Sequence, residues 1–262
     1  GVWRSLLAGG GLFLPRLTLL GVKGATGADG GAILDALETA RATTVILMPA
    51  HLRAVVDELA RGRRPPPALR FAGVGGARVP PEDLRRARTA GFPAFEGYGL
   101  SEASSVVSLN LPGADRPGSV GRPLPHAKVR VSKAGEVLVR GALFAGYVGD
   151  ATPPSTGEFW PTGDLGRIDD DGYVAITGRI KETILRGGET LSAIGIERLI
   201  SSHLAVADVA VIGMPDKALG ERICAYVHLK EGTTLTFEEL VAYLRGIGAS
   251  VLQLPERLEF ID

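Results

Sequence analysis

The stretch Thr162–Ser192, TGDLGRIDDDGYVAITGRIKETILRGGETLS, decides how the chain is read. It opens with an acid at a turn, Thr162-Gly163-Asp164. A strand-like alternation then sets Tyr173, Ala175 and Thr177 against Val174 and Ile176. Gly178-Arg179-Ile180-Lys181-Glu182 follows, then the pair Gly187-Gly188 and a helix-start signal at Ser192. So many fixed polar residues and glycines exceed what packing needs. The stretch is therefore read as a ligand-gripping segment that is also a joint between two domains.

Around it, 262 residues allow one to two domains. Lys+Arg and Asp+Glu stand at 29 each, so no global field favours nucleic acid or an anionic membrane. The basic run Arg61-Gly62-Arg63-Arg64 reads as a solvated loop. The one cysteine, Cys224, excludes an internal disulfide and fits a reducing, cytoplasmic compartment. Its apolar setting, Ile223 to Val227, marks a buried thiol and not a nucleophile. No apolar run reaches transmembrane length, and the opening GVWRSLLAGGGLFLP lacks the order of a signal peptide. That opening enters mid-pattern without an initiator Met, so the chain is expected to be a fragment.

The pattern changes twice along the chain. Residues 1–115 alternate helical segments (Ala32–Thr39, His51–Leu59, and one opened by Pro80-Pro81-Glu82-Asp83 and closed near Gly91) with strand-like ones (Thr43–Met48, Leu69–Val74, Phe92–Phe95). This is the grammar of an α/β unit with a parallel sheet covered by helices. Residues 116–180 read as a small β-barrel-like subdomain. It holds a hairpin, Lys128–Val131 and Val137–Arg140 around Lys133-Ala134-Gly135, and a second turn at Asp169-Asp170-Asp171-Gly172. That acidic run lacks the twelve-residue calcium loop and its terminal Glu, so a hairpin turn is the better reading. Residues 181–262 form a hinged α+β unit. Ser192 caps a helix carrying Ile196, Leu199 and Ile200, two strands follow at Val206–Ile212 and Ile223–Leu229, and a capping box, Thr236 to Glu239, opens a helix to Arg245.

Several chemistries drop out. Gly73-Val74-Gly75-Gly76-Ala77-Arg78 fails the dinucleotide fingerprint because Arg78 stands where a small residue is needed. No phosphate-binding G-x-x-x-x-G-K-[ST] loop and no G-x-S-x-G elbow occur, and the four histidines are scattered without metal spacing. What remains is two turns expected beyond strand ends, Gly73–Ala77 and Gly97–Glu102, where open α/β sheets bind ligands. Glycine admits a flat ring to the backbone, Tyr98 offers a stacking face, and Ser101 offers a hydroxyl for a phosphate oxygen. Glu102 offers a hard oxygen for magnesium, and Asp164 and Arg179 can address ribose hydroxyls. Together they describe a nucleotide site with a metal.

At these residues the chain resembles the adenylate-forming superfamily of acyl-CoA synthetases, peptide-synthetase adenylation domains and luciferases, most of all an acyl- or aryl-CoA ligase. The motifs are Tyr98-Gly99-Leu100-Ser101-Glu102, Gly135 to Gly141 with Gly146-Tyr147, Thr162-Gly163-Asp164, Gly178 to Glu182 through Gly187-Gly188-Glu189, and Gly213-Met214-Pro215-Asp216 with Leu219-Gly220-Glu221. They cover essentially the whole chain in the family's order. The resemblance implies Mg²⁺ on Glu102, the α-phosphate on Ser101, and adenine stacked on Tyr98 with Gly75, Gly76, Glu96 and Gly99 around it. It implies ribose on Asp164 and Arg179, and Lys181 as the hinge between a large AMP-binding domain and a mobile small one. Gly187-Gly188 would lie in the loop that swings in for thiol transfer, and Ala77, Gly97 and Ser105 along the acyl pocket.

The reaction implied is carboxylate plus ATP to acyl-adenylate and pyrophosphate, then transfer to CoA. ATP/AMP, Mg²⁺ and CoA are thus the expected cofactors and co-substrate. A carrier protein and a second copy of the chain stay open as partners. Carrier-thiol loading by an acyl- or aryl-AMP ligase is the runner-up, and a non-catalytic nucleotide- or acyl-adenylate-binding remnant is the alternative of another class. The family's upstream phosphate loop ending in P-K-G and its C-terminal G-K lysine are absent from these residues. The polypeptide alone is therefore expected not to adenylate at a useful rate. Fatty, aryl and alicyclic acids are not separated by anything in the sequence.

Overall fold

The computed structural model describes residues 9–21, 28–148 and 157–261. The opening residues 1–8, part of the segment tested above for a signal peptide, lie outside them.

The first sheet is built from α1 (Gly30–Thr39), β1 (Thr44–Leu47), α2 (Pro49–Ala60), β2 (Phe71–Val74), α3 (Pro81–Thr89), β3 (Ala94–Leu100), β4 (Ser105–Leu109) and β5 (Arg122–Pro123). Its strand order is β1-β2-β3-β4-β5. β1, β2 and β3 are parallel, in the registers Thr44↔Phe71 and Ala72↔Ala94. β4 and β5 then join antiparallel. The helix starts are locally encoded. Asp29 accepts the Ala32 amide at 2.9 Å, Pro49 and Pro81 fill first-turn positions, and Glu82 and Asp83 stand in the first turn of α3 with Arg86 and Arg88 in its last. Leu34, Leu52, Val55, Val56, Ala72, Val74, Phe92 and Ala94 form the buried core between helices and sheet. The parallel α/β reading of this part is borne out.

β6 (Ala127–Val131), β7 (Glu136–Gly141), β8 (Trp160–Ile168) and β9 (Val174–Arg179) form a four-stranded sheet in that order. The acidic run is a turn, as expected. Asp169 Oδ1 accepts the amides of Asp171 (3.1 Å) and Tyr173 (2.8 Å), and Arg116 pairs with both Asp169 and Asp171 while lying 4.3 Å over the Tyr173 ring. These carboxylates are spoken for by arginine and backbone, and not arranged for calcium.

The last sheet contains β10 (Thr183–Arg186), β11 (Glu189–Ser192), β12 (Val206–Asp216), β13 (Gly220–Leu229) and β14 (Arg257–Phe260), with α4 (Ala193–Ser201) and α5 (Phe237–Gly246). The order is β11-β10-β13-β12, and β14 lies parallel to β13. Ile184, Ile196, Ile200, Ile223, Val227, Leu240 and Leu244 fill its core, and Cys224 is buried as expected. Both predicted caps form: Ser192 Oγ accepts the Gly195 amide, and Thr236 and Glu239 make the reciprocal capping box. β10, β11 and β14 are not in the sequence reading. Each is four residues long, too short for periodicity to declare.

By packing, the chain divides into two compact units. One comprises the described residues of Gly1–Val129, Val139–Trp160 and Ile168–Ala175, the other those of Arg130–Leu138, Pro161–Arg167 and Ile176–Asp262. Among the described residues, no helix is long and apolar enough to cross a membrane.

Two outcomes follow from the packing. A Cβ on Gly30 would lie 2.1 Å from the Ala54 carbonyl oxygen, so α1 and α2 touch backbone to backbone there. Gly30→Ala is expected to destabilise by about 1–3 kcal/mol in urea denaturation, as overpacked cores do. The second concerns pH. The Thr236 amide, with its hydroxyl, holds the Glu239 carboxyl below its ordinary value of 4.5. A depressed folded value means stabilisation that is full above the unfolded carboxylate's titration and lost as pH falls through the folded one. The stability gap between wild type and Glu239→Gln should be present at neutral pH and narrow as the pH falls below the ordinary carboxylate range.

Candidate active site

In the first unit the candidate residues gather where β1, β2 and β3 end. Register places Val74 beside Glu96, so Gly75 follows alongside Gly97, and a Cβ on Gly75 would come 3.0 Å from the Gly97 carbonyl. Gly76 and Ala77 are exposed just beyond. Gly75, Gly76, Ala77, Glu96, Gly97 and Tyr98 thus share one sheet end, the carboxyl ends of parallel strands where open α/β sheets take ligands.

One expectation needs correcting. Gly97-Tyr98-Gly99-Leu100 is not a turn: β3 runs through all four and pairs with β4 as Gly97↔Leu109, Tyr98↔Ser108, Gly99↔Val106 and Leu100↔Ser105. The reason is the closeness of β4. A Cβ at Gly97 would stand 2.6 Å from Leu109 Cδ1, and one at Gly99 would stand 1.7 Å from the Ser105 carbonyl oxygen. Gly99 is required by the backbone of the neighbouring strand, whereas Gly97 is crowded chiefly by the Leu109 side chain, with the Ser108 carbonyl oxygen 3.1 Å away. Likewise Gly73 and Val74 belong to β2, and the turn starts only at Gly75.

The true turn is short, Ser101–Ala103, with Ser101 exposed and Glu102 half-buried. Ser104 and Ser105 then take φ of 55° and 92°, left-handed values that non-glycine residues hold only when the surroundings impose them. Here the Ser104 hydroxyl donates to the Ala142 carbonyl at 2.8 Å and its amide to the Ser101 carbonyl at 3.2 Å. Glu102 Oε1 accepts the Tyr147 hydroxyl at 2.7 Å. That hydrogen bond is the main reason the Tyr147 phenol is pushed above its ordinary value of 10.0, which keeps it protonated and donating.

A buried amide holds the end of β3 in place. Asn110, 1% exposed, donates to the Ser119 carbonyl at 2.7 Å and the Glu96 carbonyl at 3.3 Å, and accepts the Arg116 amide at 3.0 Å. Ser108, fully buried, donates to the Val120 carbonyl at 3.0 Å. The sequence reading passed over Asn110 and Ser108. Their only signal is a polar side chain in a β-branched run, which looks the same on a solvated edge.

In the second unit, the Thr162 hydroxyl donates to the Val137 carbonyl at 2.7 Å and accepts the Asp164 amide at 3.1 Å, while the Gly163 amide donates to Glu136 at 3.0 Å. The turn is thereby rigid, and it buries Asp164 to 3% exposure. Arg179 Nε donates to Asp164 Oδ1 at 2.7 Å, with the guanidinium side chain 59% exposed. The two predicted ribose-binding residues are therefore brought together as a pair. Lys181 is exposed in a short turn, Ile180–Glu182, between β9 and β10. Gly187 and Gly188 form the two-residue link between β10 and β11, with φ of 58° and 87°. Two successive positive φ values are the demand of a type I′ hairpin, so this pair is a hairpin turn first. The Gly187 amide donates to the Leu219 carbonyl at 2.7 Å. The preceding Arg186 pairs with Glu256 and donates to the Leu252 carbonyl at 3.2 Å, and Glu256 also accepts the Ile223 amide at 2.8 Å.

Among the described residues no three His, Cys, Asp or Glu side chains cluster as a metal cage. Glu102 by itself still fits Mg²⁺. That ion is commonly held by one or two carboxylates and completed by substrate phosphates and water, and the half-buried Glu102 offers one such carboxylate, whose Oε1 accepts the Tyr147 hydroxyl.

The arrangement sets strand-end glycines beside a hydroxyl and an acid on the following turn, and comparison with known proteins gives the chain a family. The model described as AMP-binding enzyme matches residues 6–148, and the one described as AMP-binding enzyme C-terminal domain matches residues 195–262. The chain belongs to the AMP-binding enzyme family. A salicyl-AMP ligase / salicyl-S-ArCP synthetase of Mycobacterium tuberculosis is 34% identical over 249 residues, 87% of this chain and 43% of that protein. An oxalate–CoA ligase of Arabidopsis thaliana is 35% identical over 213 residues, 75% of this chain and 41% of that protein. Among solved structures, the o-succinylbenzoate CoA synthetase MenE of Bacillus subtilis with its acyl-adenylate intermediate superposes with a TM-score of 0.80 at 25% identity, covering 89% of this chain and 50% of that one. The same enzyme is known with ATP and a magnesium ion. The chain spans about half the length of the curated relatives it matches. The superfamily resemblance read from the motifs is borne out.

Asn110→Ala would leave the Ser119 carbonyl without its amide partner in a buried site. The expected cost is about 1–3 kcal/mol in urea denaturation, with faster amide exchange across 116–121.

Proposed function

We propose that this chain is the AMP-handling part of an ATP-dependent carboxylate–CoA ligase. Such an enzyme joins a carboxylate to AMP with release of pyrophosphate, then passes the acyl group to the thiol of CoA. The observation that carries the reading is the setting of Tyr98 to Glu102 at the carboxyl end of β3, inside the segment matched by the AMP-binding enzyme family. Tyr98 is assigned to the adenine ring with Gly75, Gly76, Glu96 and Gly99 around it, Ser101 to the α-phosphate, and Ala77, Gly97 and Ser105 to the acyl group. Glu102 is assigned to Mg²⁺, which when bound supplies positive charge against the phosphates as pyrophosphate departs. Asp164 and Arg179 are assigned to the ribose hydroxyls. Lys181 is assigned to the hinge at which a mobile small domain begins, with Gly187-Gly188 in its thiol-transfer loop.

The physical case for Asp164 is its combination of burial and charge. A carboxylate 3% exposed, its backbone amide held by the Thr162 hydroxyl and its Oδ1 paired with Arg179, is a pre-oriented acceptor that loses little entropy when a hydroxyl arrives. The salicyl-AMP ligase / salicyl-S-ArCP synthetase relative favours a second reading, in which the acyl group goes to a carrier-protein thiol.

Titration calorimetry of the chain with AMP and with an acyl-sulfamoyl adenosine tests the nucleotide assignment. ATP–pyrophosphate exchange and thioester formation over aryl, dicarboxylic and fatty acids, with CoA or a carrier protein as acceptor, test the rest in an enzyme that carries this chain together with the family's phosphate loop and C-terminal lysine. No binding of either adenosine ligand at millimolar concentration would sink the reading. Asp164→Asn keeps the shape and removes the charge, so it should weaken AMP by about ten- to hundredfold, the span of a hydrogen bond to a charged group.

A further inference from the structure

Tyr147 lies 45 residues beyond Glu102 in sequence, yet its hydroxyl donates to Glu102 Oε1 at 2.7 Å. Two backbone-level ties bring the segments together. The Phe144 amide donates to the Glu102 carbonyl at 2.8 Å, and the Ser104 hydroxyl donates to the Ala142 carbonyl at 2.8 Å. The ring is held from its other side. Phe144 meets Tyr147 edge-on at 4.8 Å and Trp160 at 5.1 Å. A tyrosine that is 53% exposed would ordinarily sample several rotamers, and here packing and a charge-assisted hydrogen bond select one.

The kind of donor matters. A lysine or arginine at this position would also fix the carboxylate, but it would neutralise the charge that a divalent cation needs. A phenol orients the group and leaves it anionic. We propose that Tyr147 is a positioning residue for Glu102, restraining its carboxylate in the rotamer that receives magnesium with the nucleotide phosphates. This rests on the assignment of Glu102 to Mg²⁺ made above. Carboxylates that bind metals are themselves hydrogen-bonded as a rule, and loss of such a partner commonly lowers metal affinity by about 10–100-fold.

The test is ATP binding to the chain by calorimetry with and without Mg²⁺, alongside Mn²⁺ binding in the presence of ATP by electron paramagnetic resonance. Tyr147→Phe should weaken Mn²⁺ and the Mg²⁺-dependent part of ATP binding by about 10–100-fold, with Mg²⁺-free AMP binding unchanged. A purely structural role for the hydroxyl would lower both kinds of binding together, and that result overturns the proposal. So does metal-dependent binding equal to wild type in Tyr147→Phe while Glu102→Gln is impaired; in that case the assignment of Glu102 survives alone. Wild-type binding that is indifferent to Mg²⁺, or Mg²⁺-dependent binding retained at wild-type strength in Glu102→Gln, overturns the assignment of Glu102 and the proposal with it. If Tyr147→Phe does not fold, Tyr147→His retains a ring with an N–H donor. It should then keep metal-dependent binding within about tenfold of wild type, and a larger loss counts against the proposal.

Discussion

β4 passes so close to β3 that no side chain fits between the backbones at Gly99, and the space at Gly97 is narrowed by Leu109. The candidate site of the first unit hangs on that approach. It turns a parallel sheet antiparallel at its third strand, extends β3 to Leu100, and leaves only Ser101–Ala103 to reverse the chain. The reversal is tight enough to force Ser104 and Ser105 into left-handed backbone. The cost, of order 1–3 kcal/mol for each such residue, is offset by the hydrogen bonds of Ser104 and the burial of Ala103 and Val107. Ser101 and Glu102 thus stand on a short, hydrogen-bonded corner directly after β3.

The first unit reinforces the corner with buried polar groups rather than apolar ones. Asn110 and Ser108 satisfy the Ser119 and Val120 carbonyls in a dry interior, and the Asn110 side chain adds to its own backbone amide on the Glu96 carbonyl. Such networks are costly if half made and specific when complete, because only one arrangement of the chain satisfies every partner. The second unit applies the same device with charge. Glu256 takes the Ile223 amide and Arg186, so it fastens β14 alongside β13 and the hairpin of Gly187-Gly188 beside both. Asp164, its amide held by Thr162 and its carboxylate paired with Arg179, differs in standing beside a largely exposed guanidinium.

Long, periodic or capped elements were legible in the sequence. The helices at Pro81, Ala193 and Phe237 start where prolines and caps place them, those at Gly30 and Pro49 start two residues before the apolar spacing read from Ala32 and His51, and the parallel arrangement followed from the alternation of helices with strands. The acidic turn at Asp169 was separable from a calcium loop by spacing alone. The short elements were not legible. β4 was hidden because its pairing partner had been read as a turn, and β14 because four residues declare no period. The Gly187-Gly188 hairpin did carry a signal, two glycines between β-forming residues, but its ligand reading drew attention away from it.

The sequence by itself determined the fold class, the family motifs and the chemical types available: a hydroxyl, an acid and an aromatic ring in one short run, and an acid and an arginine in another. These follow from local rules of propensity, capping and spacing. The tertiary structure alone decided which groups meet. It showed that Gly97 and Gly99 answer to β4, that Asp164 and Arg179 face each other, and that Tyr147 reaches Glu102. Each of those facts depends on strand register and on contacts between residues far apart in sequence. Local propensity carries no information about such distances.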